Sequence, residues 1–109
     1  MVDFLLPKFS AVDQSFTIRR ATPIVMRVPC AIPVQTSFGT MFDRPALFLE
    51  IEDNNGNKGL GEVWCNFPVC GAEHRARLLE TTILPSLLDV DFSSPAQCFS
   101  TLQIQFARL

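Results

Sequence analysis

The sequence predicts an α+β domain: a three-stranded antiparallel sheet, a meander with a hairpin, followed by two or more helices packed on one face. Three observations support this prediction. Apolar residues alternate before an Asn55-Gly56 pair, a helical apolar repeat follows that pair, and a second helical repeat opens on Ser94-Pro95. Strands therefore come first along the chain and helices last, which is typical of an α+β fold.

Composition places the chain among globular proteins and excludes several functions. Its 109 residues are typical of one domain, and 48% of them are hydrophobic while 18% are charged. The net charge is −2 and the basic residues are scattered, which excludes a nucleic-acid footprint. No apolar run approaches the ~20 residues of a membrane helix, and Asp3 is not typical of a signal peptide. We therefore expect a cytoplasmic protein. The sequence contains ten Phe and no Tyr, which indicates that the domain exposes an apolar face to a partner domain.

The first part of the chain divides into an extension, a strand and a loop. Residues 1–14 show no clear period and are predicted to be an N-terminal extension, with residues 15–109 forming the domain. A strand is predicted over residues 16–28, and Pro23 places it at a sheet edge or breaks it, because proline removes a ladder donor. Residues 33–44 are predicted to be a loop of a length that is often functional.

A hairpin is predicted over residues 45–64. Three apolar residues of its first arm share one face: Leu47, Leu49 and Ile51. Asn55-Gly56 predicts a two-residue type I′ turn. This turn gives three cross-strand pairs: Ile51 with Leu60, Leu49 with Glu62, and Leu47 with Trp64.

That register places Glu62 on the apolar face, where an unpaired carboxylate is costly. We therefore expect Glu62 to have a structural or interdomain role. It could anchor this domain to a neighbouring domain or to the first strand, where Arg19 and Arg20 are the candidate partners.

Two helices complete the predicted domain. After a loop over residues 65–71, apolar residues at helical spacing predict a helix over residues 72–84, which Pro85 stops or kinks. Ser94 is the expected N-cap of the second helix, with Pro95 at its first position. The apolar stripe of this helix comprises four residues: Phe99, Leu102, Phe106 and Leu109. Because the sequence stops on Leu109 without a C-cap signal, we expect a truncated chain.

The apolar strand, the D-N-N-G turn and the following Gly59-Leu60-Gly61-Glu62 resemble the N-terminal capping domain of the enolase superfamily, in its mandelate racemase and muconate lactonizing branch. The resemblance covers roughly Phe16 to Leu109. It implies a parent enzyme whose barrel of about 250 residues follows this domain. It also implies that a Lys or His base of the barrel abstracts the α-proton of a carboxylate substrate while Mg²⁺ stabilises the resulting enediolate, as in a racemase, cycloisomerase or dehydratase. The expected partners are the barrel domain, that substrate and further copies of the protein.

The resemblance also implies which residues face the substrate. The first loop is implied to be a lid, with these candidates: Thr36, Ser37, Phe38, Gly39 and Met41. The second loop contributes Trp64, Asn66 and Phe67. No catalytic or metal-binding residue is implied in this chain, which is therefore expected to be inactive alone. From the residues themselves, Phe38 could instead cover the sheet and Trp64 could be a core residue opposite Leu47.

Two other functions remain open from the sequence. The chain could be a stand-alone binding or interaction module that uses the loops 33–44 and 65–71. It could also be a zinc module, with three ligands from Cys65, Cys70 and His74 and a fourth from Cys30 or Cys98. Because nothing indicates secretion, we expect the four cysteines to be reduced thiols.

Overall fold

The structure is a computed structural model that describes residues 15–109, so the predicted extension 1–14 lies outside the described residues. Its elements are the strands and helices β1 (Phe16–Thr36), β2 (Gly39–Asp53), β3 (Lys58–Val63), α1 (Gly71–Leu78), a π-helical segment (Leu79–Ile83), α2 (Leu84–Leu87), β4 (Asp91–Phe92) and α3 (Pro95–Gln105). The strands form one antiparallel sheet in the order β3-β2-β1-β4. The predicted α+β class is confirmed.

The prediction of three strands is wrong by one. The additional strand β4 has only two residues, which pair with the start of β1 through Phe16–Phe92 and Thr17–Asp91. The Phe16 and Phe92 rings lie 5.8 Å apart, and the Thr17 hydroxyl donates a hydrogen bond to Asp91. A strand of two residues contains no full period, so its sequence carries no alternation to find.

The predicted loop 33–44 is also wrong, because these residues form the end of a long hairpin. β1 continues to Thr36 and β2 begins at Gly39, with a two-residue turn between them. The Thr36 hydroxyl accepts a hydrogen bond from the Phe38 N–H and donates one to the Gly39 carbonyl. Gly39 has φ +137°, a conformation that favours glycine. The register of β1 against β2 shifts between Pro29 and Val34, so regular pairing is interrupted where β1 contains prolines.

Pro23 lies on a free edge of the sheet, as its sequence context predicts. β1 pairs with β2 through Pro23–Leu49, and it pairs with β4 only at Phe16 and Thr17. The side of β1 away from β2 is therefore open at Pro23 among the described residues.

The turn between β2 and β3 is one residue longer than predicted. The Gly56 N–H donates to the Asp53 carbonyl at 3.2 Å, and the Asp53 N–H donates to the Asn57 carbonyl at 2.9 Å. Gly56 has φ +84°, so the connection is a type I turn followed by a left-handed glycine. The predicted pairing is thus wrong by one residue, and Ile51 pairs with Gly59.

This one-residue shift turns Glu62 to the opposite face, because side chains alternate along a strand. Glu62 pairs with Phe48 and is exposed, so it is not on the apolar face. The expected partnership with Arg19 or Arg20 is wrong as well. Arg20 lies 3.8 Å from Glu52, and Glu62 forms no ion pair within residues 15–109.

We predict a pH-dependent stability for the β2–β3 turn. The Asp53 carboxylate accepts hydrogen bonds from the Asn57 side chain and from the backbone N–H groups of Asn55 and Asn57. These bonds, that of the Asn57 side chain first, hold the pKa of Asp53 below its ordinary value of 3.8. A lowered pKa stabilises the folded state above the ordinary value, and this contribution is lost as the pH falls through the folded-state pKa.

We therefore expect Asp53→Ala to lower the melting temperature by a few degrees near neutral pH, and by less under strongly acidic conditions. Asn54→Ala in the same turn is the control and should leave the melting temperature unchanged. A loss from Asp53→Ala that is equal at all pH values would contradict the role of the ionised carboxylate.

The first predicted helix is longer than expected. It begins at Gly71, continues through the π-helical segment and ends at Leu87, so Pro85 does not stop it. Pro85 lies at the start of α2, after the widened π turn, where its missing N–H and its ring are tolerated. The core lies between this helix and the sheet, and its buried residues are Ile18, Leu47, Cys65, Ala72, Ala76, Leu79, Leu84, Leu87 and Phe92.

The second predicted helix, α3, begins as expected but packs loosely. The Ser94 hydroxyl accepts a hydrogen bond from the Gln97 N–H at 3.1 Å, which confirms the N-cap. Cys98 and Leu102 contact the core, while Phe99 and Leu109 of the predicted stripe are largely exposed. No helix within residues 15–109 is long and apolar enough to cross a membrane.

Candidate functional site

Two separate segments meet at one end of the molecule: the tip of the β1–β2 hairpin and the loop 65–71. Phe38 of the tip and Phe67 of the loop contact each other, with ring centroids 5.6 Å apart and ring planes inclined by 40°. Next to this contact is a cavity of about 100 Å³. Its lining comprises Arg27, Thr40, Met41, Phe42, Asp43, Pro45, Asn66, Phe67 and Val69. Both segments predicted to face a substrate thus contribute to one surface.

The predicted residues of the hairpin tip occupy three different positions. Met41 is 5% exposed and lines the cavity. Phe38 is 75% exposed and reaches across to Phe67. Thr36, Ser37 and Gly39 form the turn and do not line the cavity. The structure therefore brings Met41 and Phe38 to the site and uses the other three to shape the tip.

The predicted residues of the second segment are similarly divided. Asn66 and Phe67 line the cavity. Trp64 does not line it and is 58% exposed, so the alternative in which Trp64 is a core residue opposite Leu47 is wrong. The register explains this result, because Val63 is the residue that pairs with Leu47.

Arg27 of β1 connects all the elements that surround the cavity. Its Nη1 donates to Asp43 of β2 at 3.1 Å, and its Nη2 donates to the Val69 carbonyl of the loop at 2.6 Å. Its Nε and Nη2 donate to the two carboxylate oxygens of Glu73 in α1, at 3.0 and 2.5 Å. A planar guanidinium suits this arrangement, because its donors reach several acceptors in a fixed geometry. We call this group of residues the Arg27 clamp.

The charges of the Arg27 clamp stabilise one another. Hydrogen bonding to Arg27 lowers the pKa of Glu73, and hydrogen bonding to Glu73 raises the pKa of Arg27. Both shifts favour the charged forms of Arg27 and Glu73, which hydrogen-bond to each other. The clamp therefore has a structural role, since its hydrogen bonds connect β1, β2, the loop 65–71 and α1.

Arg75 of α1 holds the loop 65–71 from its other side. Its Nη1 donates to the Phe67 carbonyl at 3.4 Å, and its guanidinium carbon lies 5.6 Å from the centre of the Trp64 ring. Gly71 allows this close approach, since a Cβ there would lie 2.6 Å from the Arg75 Nη1 and 3.0 Å from the Cys65 carbonyl oxygen. The loop is thus fixed to α1 through both Arg27 and Arg75.

The chemistry available at the site favours binding over reaction. The lining is mainly apolar, with Asn66 and Thr40 as neutral polar groups, and it includes no histidine, cysteine or lysine from the described residues. Nothing in it has the form of a nucleophile beside a base. The cavity is therefore suited to hold part of a small molecule.

The proposed zinc ligands do not come together. Within residues 15–109 no three His, Cys, Asp or Glu side chains are grouped so that they could hold a metal ion. All four cysteines are free thiols, with Cys65 buried and Cys70 exposed. The zinc alternative therefore has no support from the described part of the chain.

Sequence reasoning missed Arg27, Asp43, Val69 and Arg75. The Arg27 partners lie 16, 42 and 46 residues away along the chain, so no local spacing links them. From the sequence, Glu73 could be identified only as a negative charge in the first turn of a predicted helix. Its acidic character could have indicated a basic partner, but not which one.

Comparison with known proteins adds a family and several structures. A protein-family model described as mandelate racemase / muconate lactonizing enzyme, N-terminal domain, matches residues 19–108. A solved structure of a mandelate racemase/muconate lactonizing enzyme from Bordetella bronchiseptica is 46% identical, with a TM-score of 0.71, over 85% of this chain and 23% of that chain. No curated protein matches the chain.

Two more distant structures share the fold. A 2-chloromuconate cycloisomerase from Rhodococcus opacus is 20% identical, with a TM-score of 0.67, over 80% of this chain and 25% of that one. A racemase from Streptomyces coelicolor, solved with bound magnesium, is 21% identical, with a TM-score of 0.71, over 84% of this chain and 25% of that one. The chain thus spans about a quarter of the length of these three structures.

Proposed function

Because the chain belongs to the family of mandelate racemase and muconate lactonizing enzyme N-terminal domains, we propose that it is the capping domain of such an enzyme and helps to enclose the substrate. The observation that carries this proposal is the contact of Phe38 with Phe67 beside a small, mainly apolar cavity. Two loops that meet in this way can close over a ligand held by another domain. The parent enzyme would then be a racemase, cycloisomerase or dehydratase.

The lining of the site supports a proposal in which this domain and a barrel domain bind different parts of the substrate. Phe38, Met41 and Phe67 offer apolar surface to the hydrocarbon part of a substrate, and Asn66 offers an amide. Among the described residues, the lining provides no unengaged cation for the carboxylate group of the substrate, since Arg27 is already bonded to Asp43 and Glu73. We therefore assign recognition of the carboxylate to the barrel.

Mg²⁺ is assigned to the barrel on the same grounds. The described residues do not fit such a site, since no three acidic or other ligating side chains are grouped within residues 15–109. The magnesium in the Streptomyces coelicolor racemase belongs to a chain about four times as long as the matched part. The role of this domain is to bind and to exclude water, and the α-proton abstraction takes place elsewhere.

Two measurements test the proposal. The first is the intact mass of the native gene product, which we expect to be well above 12.2 kDa. The second is exchange of the α-hydrogen of 2-hydroxy acids and of muconolactones in D₂O, followed by NMR with that native product. A native product of 12.2 kDa would favour the alternative, a stand-alone binding module that uses the same two loops.

We predict a specific effect of the aromatic contact on this exchange. Phe38→Ala removes apolar surface from the loop that covers the substrate, so kcat/KM should fall about tenfold, mainly through a higher KM. Phe99→Ala, an equally exposed phenylalanine on α3, is the matched control and should leave kcat/KM unchanged. Equal effects of the two substitutions would argue against a substrate-facing hairpin tip.

A further inference from the structure

The sheet has an open edge at β3. Because the strand order is β3-β2-β1-β4, one side of β3 has no neighbouring strand among the described residues. Backbone groups in an antiparallel pair alternate between the two sides of a strand. The hydrogen bond between the Asp53 N–H and the Asn57 carbonyl fixes this alternation. Gly59 and Gly61 therefore face β2 with their backbone groups, while Lys58, Leu60 and Glu62 turn theirs outward.

The other open edge, that of β1, is protected against pairing. It carries Pro23, Pro29 and Pro33, and proline cannot donate to a new ladder. β3 has no proline, and no strand within residues 15–109 pairs with the N–H and carbonyl groups of its outward residues. Of the two edges, β3 is the one that can accept another strand.

The sequence of β3 is complementary to itself. In Lys58-Gly59-Leu60-Gly61-Glu62, a two-fold axis at Leu60 places Lys58 of one copy opposite Glu62 of the other. Directly opposite residues of an antiparallel pair have neighbouring side chains, and opposite charges there stabilise the pairing. Since both pairs are related by the axis, every dimer contains this contact twice.

The charges of this edge lack strong partners within one chain. Glu62 is exposed, lies opposite Phe48 in β2, and forms no ion pair within residues 15–109. Lys58 lies opposite Glu52, whose carboxylate is 3.8 Å from Arg20. Leu60, between them, is 68% exposed and would meet its own copy.

From these observations we propose that β3 is an interface between two copies of this chain, which pair edge to edge about Leu60 and join their sheets into one. The pairing gives Glu62 its structural role, as the partner of Lys58 from the second copy. It forms backbone hydrogen bonds at Lys58, Leu60 and Glu62 without disturbing the β2–β3 ladder. One pair of short strands buries less area than a standard interface, so the dissociation constant is expected on the order of 100 µM.

Charge reversal with rescue tests this interface. Sedimentation velocity of the 109-residue chain over increasing concentration should show a monomer–dimer equilibrium. Lys58→Glu and Glu62→Lys each place like charges opposite one another twice per dimer, so each should weaken the dimer roughly tenfold or more. The double variant K58E/E62K restores opposite charges and should restore the dimer. Glu80→Lys, exposed in the π-helical segment, is the control for net charge.

A second variant addresses the backbone. Leu60→Pro removes an outward N–H, which takes no part in the β2–β3 ladder, and should abolish the dimer. The melting temperature of every variant, measured at low concentration, confirms that it is folded. A chain that stays monomeric at millimolar concentration would overturn the proposal, as would a dimer that neither single charge reversal weakens or that the double variant fails to restore.

Discussion

Replacing Leu47 with alanine is expected to lower the melting temperature by roughly 12–24 °C, which is the largest effect that we predict for a single substitution in this domain. Leu47 is 0% exposed and lies in the core cluster between β2 and the helix that covers the sheet. Truncating a fully buried leucine removes its transfer free energy and leaves a cavity, at a cost of about 3 kcal/mol. Since a small domain is stable by only about 5–15 kcal/mol, this cost is a large fraction of the total.

The measurement is thermal unfolding followed by circular dichroism, with Leu60→Ala as the matched control. Leu60 has the same side chain but is exposed on β3, so its truncation should change the stability by less than about 0.5 kcal/mol. Both variants are compared at low protein concentration, so that pairing of β3 edges does not contribute. A larger loss for Leu60→Ala than for Leu47→Ala would mean that the sheet faces have been assigned the wrong way round.

The buried face of β2 could be predicted because it depends on a local pattern. Leu47, Leu49 and Ile51 recur at every second position of the strand, and the core contains or contacts all three, as predicted. The N-cap at Ser94 was equally local, since a side-chain acceptor and a following proline suffice to indicate a helix start. The buried face of β2 and this helix start were therefore found correctly.

The register of β3 could not be predicted because it depends on turn geometry. An Asn-Gly pair favours a two-residue turn, but the Asp53 carboxylate accepts hydrogen bonds from Asn55 and Asn57 and stabilises a longer one. The resulting shift of one residue moved Glu62 from the apolar face to the outer face. The hydrogen bonds of the Asp53 side chain in the turn thus determine which face of the sheet each residue of β3 occupies.

The end of the first strand was predicted wrongly because of its prolines. Pro29 and Pro33 indicated the end of a strand, and the residues that follow were therefore assigned to a loop. The strand continues past both, with its register shifted between Pro29 and Val34, because proline is tolerated where ladder pairing is already interrupted. Phe38 and Met41 of the tip nevertheless lie beside the loop 65–71, and their role toward a substrate stays a prediction.

The Arg27 clamp could not be predicted, because its partners are distant in sequence. Its removal is the second substitution for which we expect a large effect, on the protection of the loop 65–71 against hydrogen exchange. Arg27→Met should release the loop 65–71 from β1, while Arg75 still holds the loop to α1. The hydrogen bonds to the Val69 carbonyl, Asp43 and Glu73 are all lost, while the methionine retains much of the side-chain volume. We expect protection of the backbone amides of this loop against hydrogen exchange to fall by roughly tenfold or more, with little change in the core strands.

The loss should extend to the contact between the two loops. Phe67 is held beside Phe38 only while its loop stays against the hairpin, so the nuclear Overhauser effects between these rings should weaken in Arg27→Met. Arg27→Lys retains the charge but not the planar set of donors, and should restore part of the protection. Arg20→Met is the control, because Arg20 is 75% exposed and its 3.8 Å pair with Glu52 is a surface ion pair of little energetic weight.

The clamp also predicts a pH dependence with a defined sign. Hydrogen bonding to Arg27 lowers the pKa of Glu73 below its ordinary value of 4.5. The ionised carboxylate therefore stabilises the clamp fully above that value, and the stabilisation is lost as the pH falls through the lower, folded-state pKa. Protection factors in the loop 65–71 should thus decrease under acidic conditions in the native chain, but stay low and nearly constant in Arg27→Met. If acid and Arg27→Met reduced the protection independently and additively, another acidic group would have to hold the loop, and the assignment of Glu73 to the clamp would be wrong.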